Sequence, residues 1–416
     1  MTLQLRVIIL AASIGGIKAW GQDATPTVPQ SIPPSPTTQS TKPALDIYGF
    51  GMLDTGYNFK QIDPDWFDTL RVSKLPDFKN QFSADGNWFA GVRQSRFGVK
   101  GYIPTSMGEL KTIFEFEMFG TGVDQGQTTI RLRHAWGELG QFGGGQTWSP
   151  FMDIDVFPNS IEYWGPTGMV FFRNVQFRWT PWQKGDSNFM VALERPGASN
   201  DAGIYANRVE LQSVKPRFTM PDISGHYRYS GHAGHIQLSA IYRRITYDDL
   251  ARTATRDLSG AVNGWGTHFS ANWKLKKNVL RTSVVYGQGI QNYMNDAPAD
   301  VGISNNFSNP FKPIIGRALP MIAYVAFYDL NWSDKFTSTI GYSRTDIRNS
   351  SGQGADSYQS GQYALTNILY HPVKEAFLGP EFQWGYKDNK GGWHVPDYKI
   401  QFSAKYNFNV RVGGGN

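Results

Sequence analysis

The stretch Tyr398-Lys399-Ile400-Gln401-Phe402-Ser403-Ala404-Lys405-Tyr406-Asn407-Phe408 alternates apolar and polar residues without a break. Successive side chains of a strand point to opposite faces, so Tyr398, Ile400, Phe402, Ala404, Tyr406 and Phe408 share one face. Lys399, Gln401, Ser403, Lys405 and Asn407 share the other. A tilted strand crosses a bilayer in about 9–11 residues, which matches this length. A strand of a soluble sandwich shows the same alternation, but seldom over so many residues without a bend.

Segments of this kind recur from Leu45–Phe59 to the C-terminal stretch, about sixteen in all. The segments between them sort by length. Pro104–Gly108, Pro181–Ser187, Ser230–Gly234, Lys276–Asn278 and Ser333–Lys335 are short. Alternating with them are long polar segments, 60–88, 149–169, 196–221, 248–265, 291–320 and 348–361. Short turns on one side and long loops on the other are the signature of an outer-membrane barrel, whose hairpins re-enter the same leaflet. The expected fold is therefore all-β, a transmembrane antiparallel up-and-down β-barrel of about sixteen strands. An even number of this size encloses water rather than a packed core.

Composition agrees. The 416 residues are 14% aromatic and only 18% charged, and the mean hydropathy of -0.40 excludes a helical membrane protein. Tryptophan and tyrosine suit interfacial girdles. With no cysteine, disulfides, thiolate metal sites and cysteine nucleophiles are excluded.

Residues 1–21 read as a signal peptide: Arg6, the apolar core Val7–Ile17, and Ala19-Trp20-Gly21 before the cut. Removing Arg6 and Lys18 with it takes the formal charge from +6 to +4, too little to point to nucleic acid. Residues 22–43 form a Pro/Thr/Ser-rich linker expected to be disordered. The barrel is expected to span 44–408, with 409–416 as a flexible tail.

Alternation also assigns the lumen face. With Phe97, Val99 and Ile103 outward, Arg96 and Lys100 point inward; with Ile130 and Leu132 outward, Arg131 and Arg133 do so. Arg178, Arg243 and Arg281 extend this basic ladder. Arg93 and Arg173 fall on the outward parity near strand ends. Guanidinium groups match carboxylates bidentately and stay charged at every relevant pH, so a ladder of them in a water-filled pore favours small anionic solutes. The competing reading is that these arginines neutralise Glu115 and Glu117 on the intervening strand.

Several stretches resemble bacterial trimeric porins, in particular the dicarboxylate-channel (DcaP-like) group. They are Leu45-Asp46-Ile47-Tyr48-Gly49, Gln94-Ser95-Arg96-Phe97-Gly98-Val99-Lys100-Gly101 and Arg131-Leu132-Arg133-His134-Ala135-Trp136-Gly137-Glu138-Leu139. The most specific is Gly145-Gln146-Thr147-Trp148-Ser149-Pro150-Phe151-Met152-Asp153, followed by Glu162-Tyr163-Trp164-Gly165-Pro166. The resemblance implies sixteen strands, a homotrimer, and a third loop folded into the lumen as a constriction. That loop would carry Trp148, Asp153, Asp155, Glu162 and Tyr163, its carboxylates opposing the arginine wall.

The function expected is an outer-membrane porin of a Gram-negative bacterium, a water-filled channel for small hydrophilic solutes that prefers organic anions such as dicarboxylates. Its partners would be the bilayer, lipopolysaccharide, and the barrel-assembly machinery through Tyr406 and Phe408. The alternatives are a non-conducting barrel serving as adhesin or tether, and an outer-membrane phospholipase. The phospholipase needs a serine and a histidine with an orienting partner, and no glycine-flanked serine follows a histidine at matching spacing. His232 and His235 read as ordinary turn histidines, and Asp63, Asp65 and Asp68 as a solvated acidic loop rather than a calcium site. No nucleotide-binding glycine pattern appears, so no cofactor is expected and the chain is not read as an enzyme.

Overall fold

The computed structural model describes residues 42–414, so the signal peptide and all of the linker but Lys42 and Pro43 lie outside the described residues. Alternation produces what it promises: Ile400, Phe402 and Tyr406 are exposed on the outer wall while Lys399, Gln401 and Ser403 are buried on the inner one. Strands with one apolar and one polar face can hide every backbone group in lipid only by closing into a tube.

The wall has sixteen strands. They are β1 (Ala44–Asn58), β2 (Asn87–Gly91 and Arg96–Thr105), β3 (Gly108–Phe119), β4 (Thr128–Leu139), β5 (Phe142–Trp148), β6 (Arg173–Lys184), β7 (Ser187–Glu194) and β8 (Asp222–Gly231). The rest are β9 (Gly234–Asp249), β10 (Gly260–Leu275), β11 (Asn278–Gln288), β12 (Pro320–Ser333), β13 (Phe336–Ile347), β14 (Tyr358–Asn367 and Leu369–Val373), β15 (Ala376–Asn389) and β16 (His394–Gly413). Each pairs antiparallel with the next, and β1 closes on β16 from Ala44↔Gly413 to Asn58↔Lys399. The expected flexible tail is therefore corrected: Asn409–Gly413 continue β16 and pair with Ala44–Tyr48. Alternation simply runs on, with Val410 and Val412 outward.

Two further differences matter for the pore. β2 is interrupted at 92–95, where Ser95 N–H bonds back to Val92 O; the turn re-aims Arg93, which is buried against Asp68 rather than outward. In β4 the pairing shifts between Glu115↔His134 and Phe116↔Leu132, leaving Arg133 as an extra residue. Such a bulge turns consecutive side chains to one face, and both Arg133 and His134 are buried in the lumen. Gly145 follows opposite, at φ +124°; a Cβ there would lie 2.1 Å from Ala135 O, so only glycine fits.

The lumen is not uniformly open. Loop 3 (149–172) folds inward, as expected, and loops 1 (59–86) and 6 (289–319) join it. Leu70 and Val72 of loop 1, Phe151, Val156 and Met169 of loop 3, and Ile290 and Tyr293 of loop 6 form one apolar core. That core packs on Val285, Val325, Phe327 and Leu365 of the wall. Much of the β11–β14 side of the barrel is thereby covered, and the open cavity is lined by β1, β2, β4 and β16, with Arg281 of β11 and His371 of β14 at its border.

Candidate functional site

Loop 3 crosses the barrel because both of its ends are fastened to the wall. At its start, His226 Nδ1 lies 2.9 Å from Pro150 O, Gln237 donates to Met152 O at 3.0 Å and Asn272 donates to Asp155 O at 2.7 Å. At its tip, Gln94 and Gln401 donate to Ile161 O at 2.9 and 3.0 Å, and Glu381 accepts from Ile161 N–H. Backbone groups leaving regular structure are thus satisfied by wall side chains.

Its carboxylates serve the same purpose. Asp153 accepts from Ser270 at 2.6 Å, lies 2.7 Å from His235 Nε2 and pairs with Arg228. Burial pushes this carboxyl up, but the His235 hydrogen bond and the positive charge around it win, holding it below the usual carboxylate range. Asp155 pairs with Arg228 at 2.5 Å, and Glu162 with Lys399 at 2.7 Å with both side chains fully buried. The expectation that Asp153, Asp155 and Glu162 oppose the arginine wall is therefore corrected: wall cations neutralise each of them, and they act as staples. Arg228 went unnoticed in the sequence because it lies near a turn, away from the ladder. His235 joins Asp153 rather than forming a pair with His232, and Asp63, Asp65 and Asp68 are likewise dispersed. Asp63 caps its own turn, Asp65 accepts from Gln125, and Asp68 meets Arg93.

Opposite the loop stands the basic wall. Arg133 donates to Glu115 and Glu117 at 2.6 Å each. Arg96 lies 3.7 and 3.4 Å from the same two carboxylates, and Arg131 and Arg173 lie 3.7 and 3.8 Å from Glu117. Four guanidinium groups thus surround two carboxylates, an excess of two positive charges. The neutralising role weighed from the sequence is real but incomplete. Arg173 enters the cluster despite its nominal outward parity, because it sits where loop 3 rejoins the wall. Trp148 braces it, its ring 4.8 Å from the Arg173 guanidinium and 5.5 Å from that of Arg133.

Between the wall and the loop lies a cavity of about 570 Å³. Arg96, Arg131, Arg133 and Lys405 line one side; Phe157, Tyr163, Trp164 and Phe171 of loop 3 line the other. Tyr163 ties the two together, accepting from Arg131 at 3.0 Å and donating to Glu117. Burial, and then the Glu117 charge, push its hydroxyl above the usual tyrosine value. Loop 1 contributes a residue that the ladder did not predict: Arg71, whose guanidinium lies 4.1 Å from Trp66 and 3.9 Å from Trp164 and pairs with Asp296 of loop 6. No parity rule reaches a loop.

The rest of the ladder divides. Arg281 still borders the cavity but is paired with Asp329 at 2.5 Å. Arg243 does not reach the cavity; it is fully buried beneath the outer loops, bound to Asp222 at 2.9 Å and Asp300 at 2.7 Å. Its expected lumen-lining place is corrected, since loop 6 covers that part of the wall. Arg178 is spent on Trp148 O and Gln176, and Lys100 lies over the Tyr48 ring at 4.9 Å.

Known proteins share this fold. The family model described as DcaP outer membrane protein matches residues 35–294. The crystal structure of the outer membrane channel DcaP of Acinetobacter baumannii superposes with a TM-score of 0.70 at 18% identity, covering 88% of this chain and 97% of that one. An anion-selective porin from Comamonas acidovorans gives 0.57 at 11% identity, covering 88% and 100%. The trimer form of OmpT of Vibrio cholerae gives 0.52 at 11%, covering 88% and 99%. Among curated proteins no sequence matches. At these identities the solved structures speak for the fold, a closed sixteen-stranded porin barrel, while the family match spans more than half of the chain. The chain belongs to the DcaP outer membrane protein family, porin channels of the Gram-negative outer membrane.

Proposed function

We propose that this porin passes small organic anions, dicarboxylates among them, in preference to cations. The observation that carries the reading is the charge balance of the constriction. Arg96, Arg131, Arg133 and Arg173 face Glu115 and Glu117, while the loop carboxylates that could have cancelled the surplus are engaged elsewhere. Lys405 adds a further cation on the same wall. In a narrow, partly desolvated passage this surplus raises the local concentration of anions without a deep trap, so they enter and leave. Two separated carboxylates can engage Arg131 and Lys405 in turn while the chain between them slides past Tyr163 and Phe171. The likeness to a porin whose description names anion selectivity, and the family's own outer-membrane channel, favour the same reading.

We also infer a homotrimer, on the likeness to OmpT in its trimer form. Crosslinking of the detergent-solubilised protein would give three-chain species; a single-chain species only would overturn that inference. Selectivity is tested in planar bilayers under a salt gradient, followed by a series of mono- and dicarboxylates. The expected reversal potential is anion-selective, with dicarboxylates lowering chloride current more than monocarboxylates. A cation-selective reversal potential would defeat the proposal.

A further inference from the structure

The outward face of the wall changes character along one row near its outer end. The register sets Phe177, Leu193, Ile223 and Tyr242 opposite one another across β6 to β9, and all four are exposed. Two residues further out along the same parity stand Arg195 and Arg244. An apolar row ending in an aromatic ring and followed by cations marks where hydrocarbon gives way to headgroups. At this level β7 stops at Glu194 and β8 begins only at Asp222, whereas β9 runs on to Asp249. The gap is bridged by the returning arm of loop 4 (195–221): Val214–Arg217 pairs with the outer part of β9, and 218–221 then run back to β8.

Between the two arms of that loop a groove of about 540 Å³ opens on the outer wall. Val175, Phe177, Leu193, Phe218 and Met220 line it, with Arg195 at its lip. Lys215 and Arg217 are exposed just above Phe218. Arg217 shares Asp248 at 2.5 Å, and Arg195 has no carboxylate partner among the described residues.

We propose that this groove binds lipopolysaccharide of the outer leaflet, one acyl chain along Phe177, Leu193 and Phe218 and a phosphate of the sugar head against Arg195 and Lys215. The apolar part of the groove lies on the hydrocarbon side of the row and its cations on the loop side, the order in which such a lipid presents tail and phosphate. Of the carboxylates here, Asp248 pairs with Arg217, and Glu194 is buried and accepts from Ser149 and Ser224, which leaves Arg195 and Lys215 for a phosphate, whose oxygens a guanidinium fork matches. A second copy of the chain would suit the apolar lining but would also have to bring an acidic patch to the lip.

The test uses the full-length refolded porin in detergent, with binding of deep-rough lipopolysaccharide, its dephosphorylated form and phosphatidylglycerol followed by native mass spectrometry. Wild type should retain the phosphorylated glycolipid over the other two. The variant R195Q/K215Q should bind it more weakly by about fivefold per charge removed. F218S should weaken both glycolipids, and neither variant should alter ion selectivity; the heat-dependent gel shift of a folded barrel checks that each has folded. Equal retention of phosphatidylglycerol, or undiminished binding by the charge variant, would overturn the proposal. So would a change in oligomeric state in either variant, which would assign the groove to contact between copies.

Discussion

Lys399 of β16 places its ammonium nitrogen 2.7 Å from the Glu162 carboxylate of loop 3, and neither side chain has any exposure. The same nitrogen donates to Asp68 O of loop 1 at 2.6 Å, so one lysine holds two loops to the wall. Removing one partner of a buried pair leaves an uncompensated charge, at a cost of about 3–5 kcal/mol. E162Q should therefore lower the urea midpoint of the refolded barrel and raise open-channel current noise. The double variant E162Q/K399M should recover part of the stability, because no charge is then stranded. An E162Q barrel as stable and quiet as wild type would show that the tip is held by Gln94, Gln401 and Glu381 alone.

Acidification should not release the start of loop 3 until the pH falls below the ordinary carboxylate range. Asp153 is held below its ordinary value of about 3.9, so its contribution is complete above that value and is lost as the pH falls towards the lowered one. Conductance of the wild type should stay constant from neutral pH to about pH 4.5 as far as this anchor governs it. D153N, which cannot carry the charge, should show the released conductance already at pH 7. Matching conductances for the two proteins at neutral pH would contradict the staple.

Arg131 and Arg133 should separate selectivity from stability. Arg131 keeps 32% of its side chain exposed, whereas Arg133 keeps 5% and satisfies both glutamates. R131Q should shift the reversal potential towards zero and change stability by less than about 1 kcal/mol. R133Q should shift it as well and cost several times more, about 3–5 kcal/mol, since Glu115 and Glu117 lose their closest counter-ion. Reversal potentials paired with urea unfolding check both; an unaltered potential in R131Q would move the filter elsewhere.

Arg243 should behave in the opposite way. Its partners Asp222 and Asp300 tie β9 and loop 6 beneath the outer loops, away from the water path. R243M should leave ion selectivity unaltered while exposing loop 6 to protease, with cleavage between 289 and 319 appearing at concentrations that spare the wild type. Altered selectivity with an intact loop would place Arg243 at the pore after all.

The barrel was legible in the sequence because lipid imposes the same two-residue period on every strand. Within that period the inward places of Arg96 and Arg131 followed directly. What period two cannot carry is a departure from it. The break at 92–95 shifts parity at Arg93, the bulge at Arg133 turns His134 inward beside it, and Arg173 is drawn inward where loop 3 rejoins the wall. One further signal was present: Met321-Ile322-Ala323-Tyr324-Val325-Ala326-Phe327 is apolar on both parities. Ile322 and Tyr324 meet lipid, while Ala323, Val325 and Phe327 meet the loop core, so a strand without a polar face announces a covered lumen. The loop partners themselves, Asp296 with Arg71 or Asp153 with His235, lie 225 and 82 residues apart; no spacing rule connects them.

Because loops 1, 3 and 6 cover much of one side of the tube, the passage has a charged wall on one hand and a wall of rings on the other. A centred round hole would let a solute spin freely about its long axis. Here a molecule whose carboxylates meet Arg131 and Lys405 must present its remaining flank to Tyr163 and Phe171, so three of its substituents are read at once. Mirror-image solutes cannot satisfy all three equally, so a filter that takes dicarboxylates as proposed should be handed: the two enantiomers of a chiral dicarboxylate are expected to cross it at different rates.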